Sequence, residues 1–328
     1  MARKKPLTVE WSVWRRGGWH LVLGWGIGLI LCGCTQALFP SLPGDRPRVV
    51  ATSTILTDLT QRIGGNRIHL IGLLKPGTDP HLYEPVPHDS RSLEQAALIL
   101  YNGYNLEPGI IRLMESTGGN ARKLAVGEVV TPLTLQRKQS QPDPHVWGDV
   151  GNVMTMTGVI RDALIELDPQ QSIFFKQNTD QLNSELTRLH HWIKNQINTI
   201  PRSQRRLVTT HDAFQYYAHA YGLEVLGTLI GISTEEQPSA QTLKELVNAI
   251  RSAQIPVIFA ETTINPRLIT TVAQESGARL ARRRLYSDSI GAPTSDASSY
   301  IQMMTANTRA IVEDLGGYFQ PFPLNKIK

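Results

Sequence analysis

Pro76-Gly77-Thr78-Asp79-Pro80-His81-Leu82-Tyr83-Glu84-Pro85 is a stretch that no helix accommodates. Its prolines fix φ, Gly77 permits a sharp turn, and residues before proline are driven toward extended geometry. The largely apolar run over residues 68–74 leads straight into it and reads as a buried strand. His81 therefore stands at a strand exit, on a loop with little freedom to move. The same tripeptide returns once, as Asp143-Pro144-His145. Two copies on unrelated flanks point to two convergent ligands, each with a carboxylate at hand to hold its ring. A solvated loop histidine is the alternative for each copy taken alone.

Working outward, the chain alternates short apolar runs with helical patterns. Arg48-Val49-Val50-Ala51-Thr52 begins a first strand and residues 56–63 the helix after it. Leu98-Ile99-Leu100-Tyr101 and Lys123-Leu124-Ala125-Val126 are further strands, with helices expected from a Ser90 cap to Ala97 and from Pro108 to Met114. Residues 152–167 are helical in pattern. Residues 170–200 contain no Gly or Pro and carry Phe175, Leu182, Leu186, Leu189, Ile193 and Ile197 at helical spacing. They read as one long rigid helix joining two lobes; two helices with an unmarked turn is the alternative. The second lobe repeats the logic, with strands at Leu207-Val208-Thr209-Thr210, residues 225–230 and Pro256-Val257-Ile258-Phe259-Ala260, and a last helix from Ser298. The expected fold class is α/β: two lobes, each a mostly parallel sheet flanked by helices.

The 328 residues, 41% hydrophobic and 19% charged, have the balance of a globular protein large enough for two domains. The net charge of +5 sits mostly at the start of the chain. The first 33 residues hold five basic residues and one acid, leaving 28 basic against 27 acidic. A near-neutral body argues against nucleic acid as a partner. Basic residues followed by an apolar run from Trp19 to Leu31 form a signal-peptide layout over residues 1–33. The Leu-x-Gly-Cys ending resembles a bacterial lipobox, which implies cleavage and lipidation at Cys34, with residues 34–47 as a tether. A retained N-terminal anchor is the competing reading, and both place the body outside the cytoplasm. No cysteine follows Cys34, so any metal site must use His, Asp or Glu.

In open α/β sheets, ligands collect at the carboxyl ends of strands. The expected strand exits and loops offer His81 and His145 in the first lobe, over residues 48–168. The second lobe, over residues 201–328, offers His211, Glu261 and Asp288, with residues 169–200 as the connector. If the lobes face each other, three imidazoles and one or two carboxylates meet in the cleft, a sufficient shell for a divalent transition metal.

These segments resemble those of the metal-binding lipoprotein family of ABC transporter substrate-binding proteins for zinc and manganese. The resemblance rests on the Gly77–Pro85 motif, Asp143-Pro144-His145-Val146-Trp147, Thr210-His211-Asp212-Ala213-Phe214, Phe259-Ala260-Glu261 and Ser287-Asp288-Ser289. It implies His81, His145, His211 and Asp288 as metal ligands, with Glu261 near the site. It further implies no catalysis, an ABC permease and its ATPase as partners, attachment to the membrane through Cys34 on the periplasmic side, and a monomer. Asp79 and Asp143 are candidate acceptors for the ring N–H of the histidines that follow them, or caps of their own turns. Asp212 reads as a cap for the helix after it. The family's Leu-Asp-Pro after the second motif is replaced here by Gly148-Asp149-Val150, and no histidine-rich loop precedes His145. A third imidazole at His211 favours zinc over manganese. A metal-dependent surface adhesin and a zinc hydrolase remain the alternatives.

Overall fold

Capped amphipathic helices packed on short parallel strands build both lobes. The computed structural model describes residues 46–117, 119–133 and 142–323. The expected signal segment, Cys34 and the tether as far as residue 45 lie outside them, as does part of the loop before His145. In the first lobe, β1 (Arg48–Ala51) is followed by α1 (Thr54–Gly64), whose N-cap Ser53 accepts the Leu56 N–H. Then come β2 (His69–Gly72), α2 (Pro87–Glu94), β3 (Leu98–Tyr101), α3 (Pro108–Ser116) and β4 (Arg122–Ala125). The four strands pair in parallel in the order β2-β1-β3-β4.

Next comes α4 (Val150–Leu167), capped by Asp149, and then α5 (Ser172–Asn198), entered through a 3-10 turn at Pro169–Gln171. The second lobe runs β5 (Arg206–Thr209), α6 (Gln215–Tyr221), β6 (Glu224–Thr228), α7 (Ala240–Ser252), β7 (Val257–Ile258), α8 (Arg267–Ser276), β8 (Arg279–Leu280) and α9 (Tyr300–Asp314). β5 pairs with β6 and β7 with β8, all parallel. A parallel bridge between Thr209 and Phe259, with the Phe259 N–H on the Val208 carbonyl at 2.9 Å, sets β7 beside β5. The resulting order, β6-β5-β7-β8, reproduces that of the first lobe. Each lobe thus has a switch point, between β1 and β3 and between β5 and β7, where connections leave in opposite directions.

The breaker-free segment forms a single helix. At 27 residues, α5 spans about 40 Å at the usual rise. Its buried stripe, Phe175, Leu182, Leu186, Leu189, Ile193 and Ile197, packs against α1, α4, α6 and α9. The largest apolar core is continuous through this stripe. It takes Ile55, Leu59 and Ile63 from α1, Ile160 from α4, Tyr217 from α6, and Ile301, Met304 and Ile311 from α9. Two smaller clusters cover the outer faces, around Val50 and Ile99 in one lobe and Val208, Ile250 and Val272 in the other. Moving one lobe against the other would shear that shared core, which favours small rigid shifts over wide hinge opening.

Three local expectations are corrected. β2 is the edge of its sheet, so its four residues are exposed or half-buried; the burial expected of the run falls on the flanking Ile68, Leu73 and Leu74. α2 starts at Pro87 rather than after Ser90. Proline at the first helical position needs no N–H partner, and Asp89 accepts the Val86 N–H at 2.8 Å. Asp212 is not the N-cap of α6. That position falls to Phe214, and Asp212 accepts from the Gln215 side chain at 2.6 Å instead.

Candidate metal centre

The Pro-rich loop between β2 and α2 carries His81. Thr78 N–H closes a turn on the Lys75 carbonyl at 3.0 Å, and Gly77 takes a left-handed φ of 82°. Across the cleft, the Gly77 N–H reaches the Ser289 hydroxyl at 2.8 Å. Gly109 lets α3 approach the loop closely, since a Cβ there would lie 2.4 Å from the Tyr83 carbonyl oxygen. His145 emerges from the long loop before α4, where a 3-10 turn over Val146–Gly148 follows it. The Trp147 indole N–H donates to the Ser287 carbonyl at 3.0 Å, tying the His145 segment to that of Asp288. His211 follows β5 and Glu261 follows β7, side by side at the second switch point. Asp288 lies beyond the bridge between Glu261 and Leu285. Its loop is clamped by Asn307 of α9, which donates to and accepts from the Tyr286 backbone at 2.7 and 2.8 Å.

His81, His145, His211 and Asp288 converge, with one donor atom from each lying within 4.8 Å of all the others. His81 Nε2 is 3.3 Å from His145 Nε2. Asp288 lies between the other two rings, with Oδ1 3.3 Å from His145 Nε2 and Oδ2 3.3 Å from His211 Nε2. All four residues are buried. Among the described residues, His211 Nε2 and Asp288 Oδ1 have no hydrogen-bond partner. Buried polar atoms are almost always paired, so donors that face one another without bonding match a site for a cation.

Two rings are held from behind by carboxylates. Asp143 Oδ1 accepts from the His145 backbone N–H at 2.9 Å and from its Nδ1 at 2.7 Å. Glu261 likewise accepts from the His211 backbone N–H at 2.8 Å and from His211 Nδ1. In the neutral, ligating form of each ring the proton is thereby fixed on Nδ1 and the Nε2 lone pair is turned into the site. Asp79 differs. It accepts from the His81 backbone N–H at 2.9 Å and from the Thr234 hydroxyl of the second lobe at 2.7 Å, whereas His81 Nδ1 has no partner among the described residues. Asp79 therefore shapes the turn and reaches across the cleft without holding the ring.

The electrostatics divide the three histidines. Burial, with the neighbouring rings, pushes His81 down to about 3 despite the pull of Asp288. Burial also works against the charged form of His145, but Asp143 and then Asp288 hold it up to about 9. His211 opposes the same burial with Glu261 and Asp288, and sits well above the usual imidazole range. Asp288 is pulled well below the carboxylate range by His211 and His145, against its burial. Without a metal, the carboxylates around His145 and His211 favour the protonated form of each ring, and that proton must leave before Nε2 can ligate.

Among the described residues the remaining histidines stay apart from the centre: His69, His88, His191 and His219 are exposed, and His190 contacts Tyr221. Sequence reasoning assigned no role to Thr234, Asn307, Trp147 or Ser289, which bind the segments of the site to one another. Only Trp147 and Ser289 stood within quoted motifs.

A family model described as zinc-uptake complex component A, periplasmic, matches residues 49–314. The manganese-binding lipoprotein MntA of Halalkalibacterium halodurans is 33% identical over 290 residues, covering 88% of this chain and 95% of that protein. The manganese ABC transporter substrate-binding lipoprotein PsaA of Streptococcus pneumoniae is 32% identical over 295 residues, covering 88% and 95%. Among solved structures, the periplasmic zinc-binding protein TroA of Treponema pallidum matches with a TM-score of 0.79 at 32% identity, over 83% of this chain and 99% of that one. A manganese-bound periplasmic metal-binding protein from Candidatus Liberibacter asiaticus gives 0.73 at 25% identity, over 82% and 100%. The chain belongs to the zinc-uptake component A family, a family of transport proteins rather than enzymes. It is the family that the paired Asp-Pro-His motifs resembled.

Proposed function

We propose that this chain is an extracytoplasmic solute-binding protein that captures one divalent transition-metal ion between its lobes and delivers it to an ABC importer. One observation carries the reading. Three imidazole nitrogens and one carboxylate, buried and contributed by four separate segments, approach within 4.8 Å of one another. His81, His145, His211 and Asp288 are the ligands, Asp143 and Glu261 orient two of the rings, and Asp79 sets the His81 turn. The partners are a permease and its ATPase, and the protein is a monomer held to the membrane through lipidated Cys34. The names of the relatives support a transported cation rather than a catalytic one. A hydrolytic role lacks its base, because both carboxylate oxygens of Glu261 are engaged by His211.

Zinc is the preferred ion in this reading. Three nitrogen donors favour it over manganese along the Irving–Williams order. The relatives are named for both metals, and Asp288, with an oxygen toward each of two rings, offers the extra coordination that manganese uses. Competitive titration of chelator-stripped protein with zinc and manganese tests the proposal. One ion per chain, with zinc displacing manganese and His211→Ala sharply weakening both, is expected. Unchanged affinity in that variant would remove His211 from the ligand set.

A further inference from the structure

The carboxyl ends of β1 and β3, at the switch point of the first lobe, hold a polar group that the metal centre does not use. Glu107 closes the loop from β3 into α3 and is 1% exposed. Its Oε1 accepts from the Thr52 hydroxyl at 2.5 Å and from the Asn102 N–H at 2.8 Å. Its Oε2 is enclosed and unpartnered among the described residues, and burial pushes the carboxyl up to about 7 against those two bonds. Burying an acid with one oxygen unpartnered costs stability.

Three features show what it holds. Asn102, also 1% exposed, donates its side-chain amide to the Pro144 carbonyl at 2.9 Å. That carbonyl belongs to the peptide unit leading into His145. On its other side Asn102 is clamped by Gly127, whose N–H reaches the Asn102 carbonyl at 2.8 Å and where a Cβ would approach that oxygen to 2.6 Å. Between Asn102 and Glu107 the chain runs through successive left-handed residues: Gly103 (φ 84°), Tyr104 (50°) and Asn105 (57°). Two non-glycine residues in that region persist only where the surroundings over-determine them. The strained loop, the buried acid and Gly127 all adjoin Asn102, whose amide meets the Pro144 carbonyl and, at 3.2 Å, the Gly103 carbonyl.

We propose that Glu107 and Asn102 are positioning residues for His145, fixing the Asp143-Pro144-His145 backbone so that its imidazole meets the other ligands. The inference rests on the metal-binding reading above. Glu107 holds the Asn102 main chain, the Asn102 amide holds the Pro144 carbonyl, and Asp143 then aligns the ring.

The test measures zinc affinity of the full chain by chelator competition, with thermal unfolding as the check on folding. Asn102→Ala and Glu107→Ala are expected to weaken zinc binding about 10- to 100-fold, the usual effect of losing a support behind a ligand. Glu107→Gln, which keeps the acceptor, is expected to recover most of it. In a His145→Ala background, Asn102→Ala should cost almost nothing further, because the residue it positions is gone. In metal-free protein, the His145 Nδ1 proton resonance should shift in Asn102→Ala and in Glu107→Ala, and stay close to its wild-type position in Glu107→Gln. That readout applies even where zinc binding is too weak to measure. Unchanged affinity in folded Asn102→Ala, or an equal loss in the His145→Ala background, would overturn the proposal. Unchanged affinity in His145→Ala alone would instead overturn the metal-ligand assignment on which it stands.

Discussion

Loading the centre with metal at neutral pH must expel protons, and the structure sets how many. His145 holds its proton up to about 9 and His211 sits well above the usual range, each through a carboxylate behind the ring and Asp288 in front. A protonated imidazole cannot ligate, so each must release its proton on binding. His81, pushed down to about 3, is already neutral, and Asp288 is already ionised. About two protons should therefore leave per ion between about pH 6 and pH 8, and apparent affinity should rise about 100-fold per pH unit, or ~2.7 kcal/mol. Three ordinary imidazoles behave differently: titrating near 6.5, they would release well under one proton in total at about pH 7.5. Calorimetry in buffers of different ionisation enthalpy reads the number directly. Release of less than about half a proton at pH 7.5 would refute the raised protonation of His145 and His211 in the empty centre.

Other outcomes follow from the same contacts. Glu261→Gln keeps the size of the residue but loses the carboxylate behind His211, and should weaken zinc binding about 10- to 100-fold while the protein stays folded, as measured by chelator competition. Thr234→Val removes the hydroxyl linking Asp79 to the second lobe. It should speed metal dissociation in stopped-flow chelation, with little change in thermal midpoint. In the metal-free protein the His145 proton is a source of stability. Because the folded value, about 9, exceeds the unfolded value near 6.5, that contribution is complete below about pH 6.5 and is lost as pH rises through about 9, which denaturation of metal-free protein at several pH values will show. Leu186→Ala, in the α5 stripe shared by both lobes, should cost about 2–5 kcal/mol in urea unfolding.

The sequence made the long helix and the parallel character of the sheets legible because each depends on local pattern. A helical stripe from Phe175 to Ile197 without Gly or Pro left only two helices with an unmarked turn as the alternative, and the run at Leu98–Tyr101 became β3 without a shift of either boundary. The edge position of β2 was not legible, since neighbours in a sheet are set by topology and not by the strand's own residues. Nor was the start of α2, where Pro87 and Asp89 outcompeted the serine cap. At the centre, strand exits and loops offered His81, His145, His211, Glu261 and Asp288 together, and it was the family resemblance that set Glu261 apart from the other four. The different conduct of Asp79 and Asp143 was hidden, because identical tripeptides give the carboxylate two local targets. Only the surroundings decide, and Thr234 draws Asp79 away across the cleft. The Asn102–Pro144 bond joins residues 42 positions apart, with no pattern in either flank to announce it.

The most direct measurement is anomalous diffraction at the zinc edge from crystals of the zinc-loaded protein. The account predicts a single peak bounded by Nε2 of His81, His145 and His211 and by the Asp288 carboxylate. A peak elsewhere, or one lacking any of the three histidines, would contradict it.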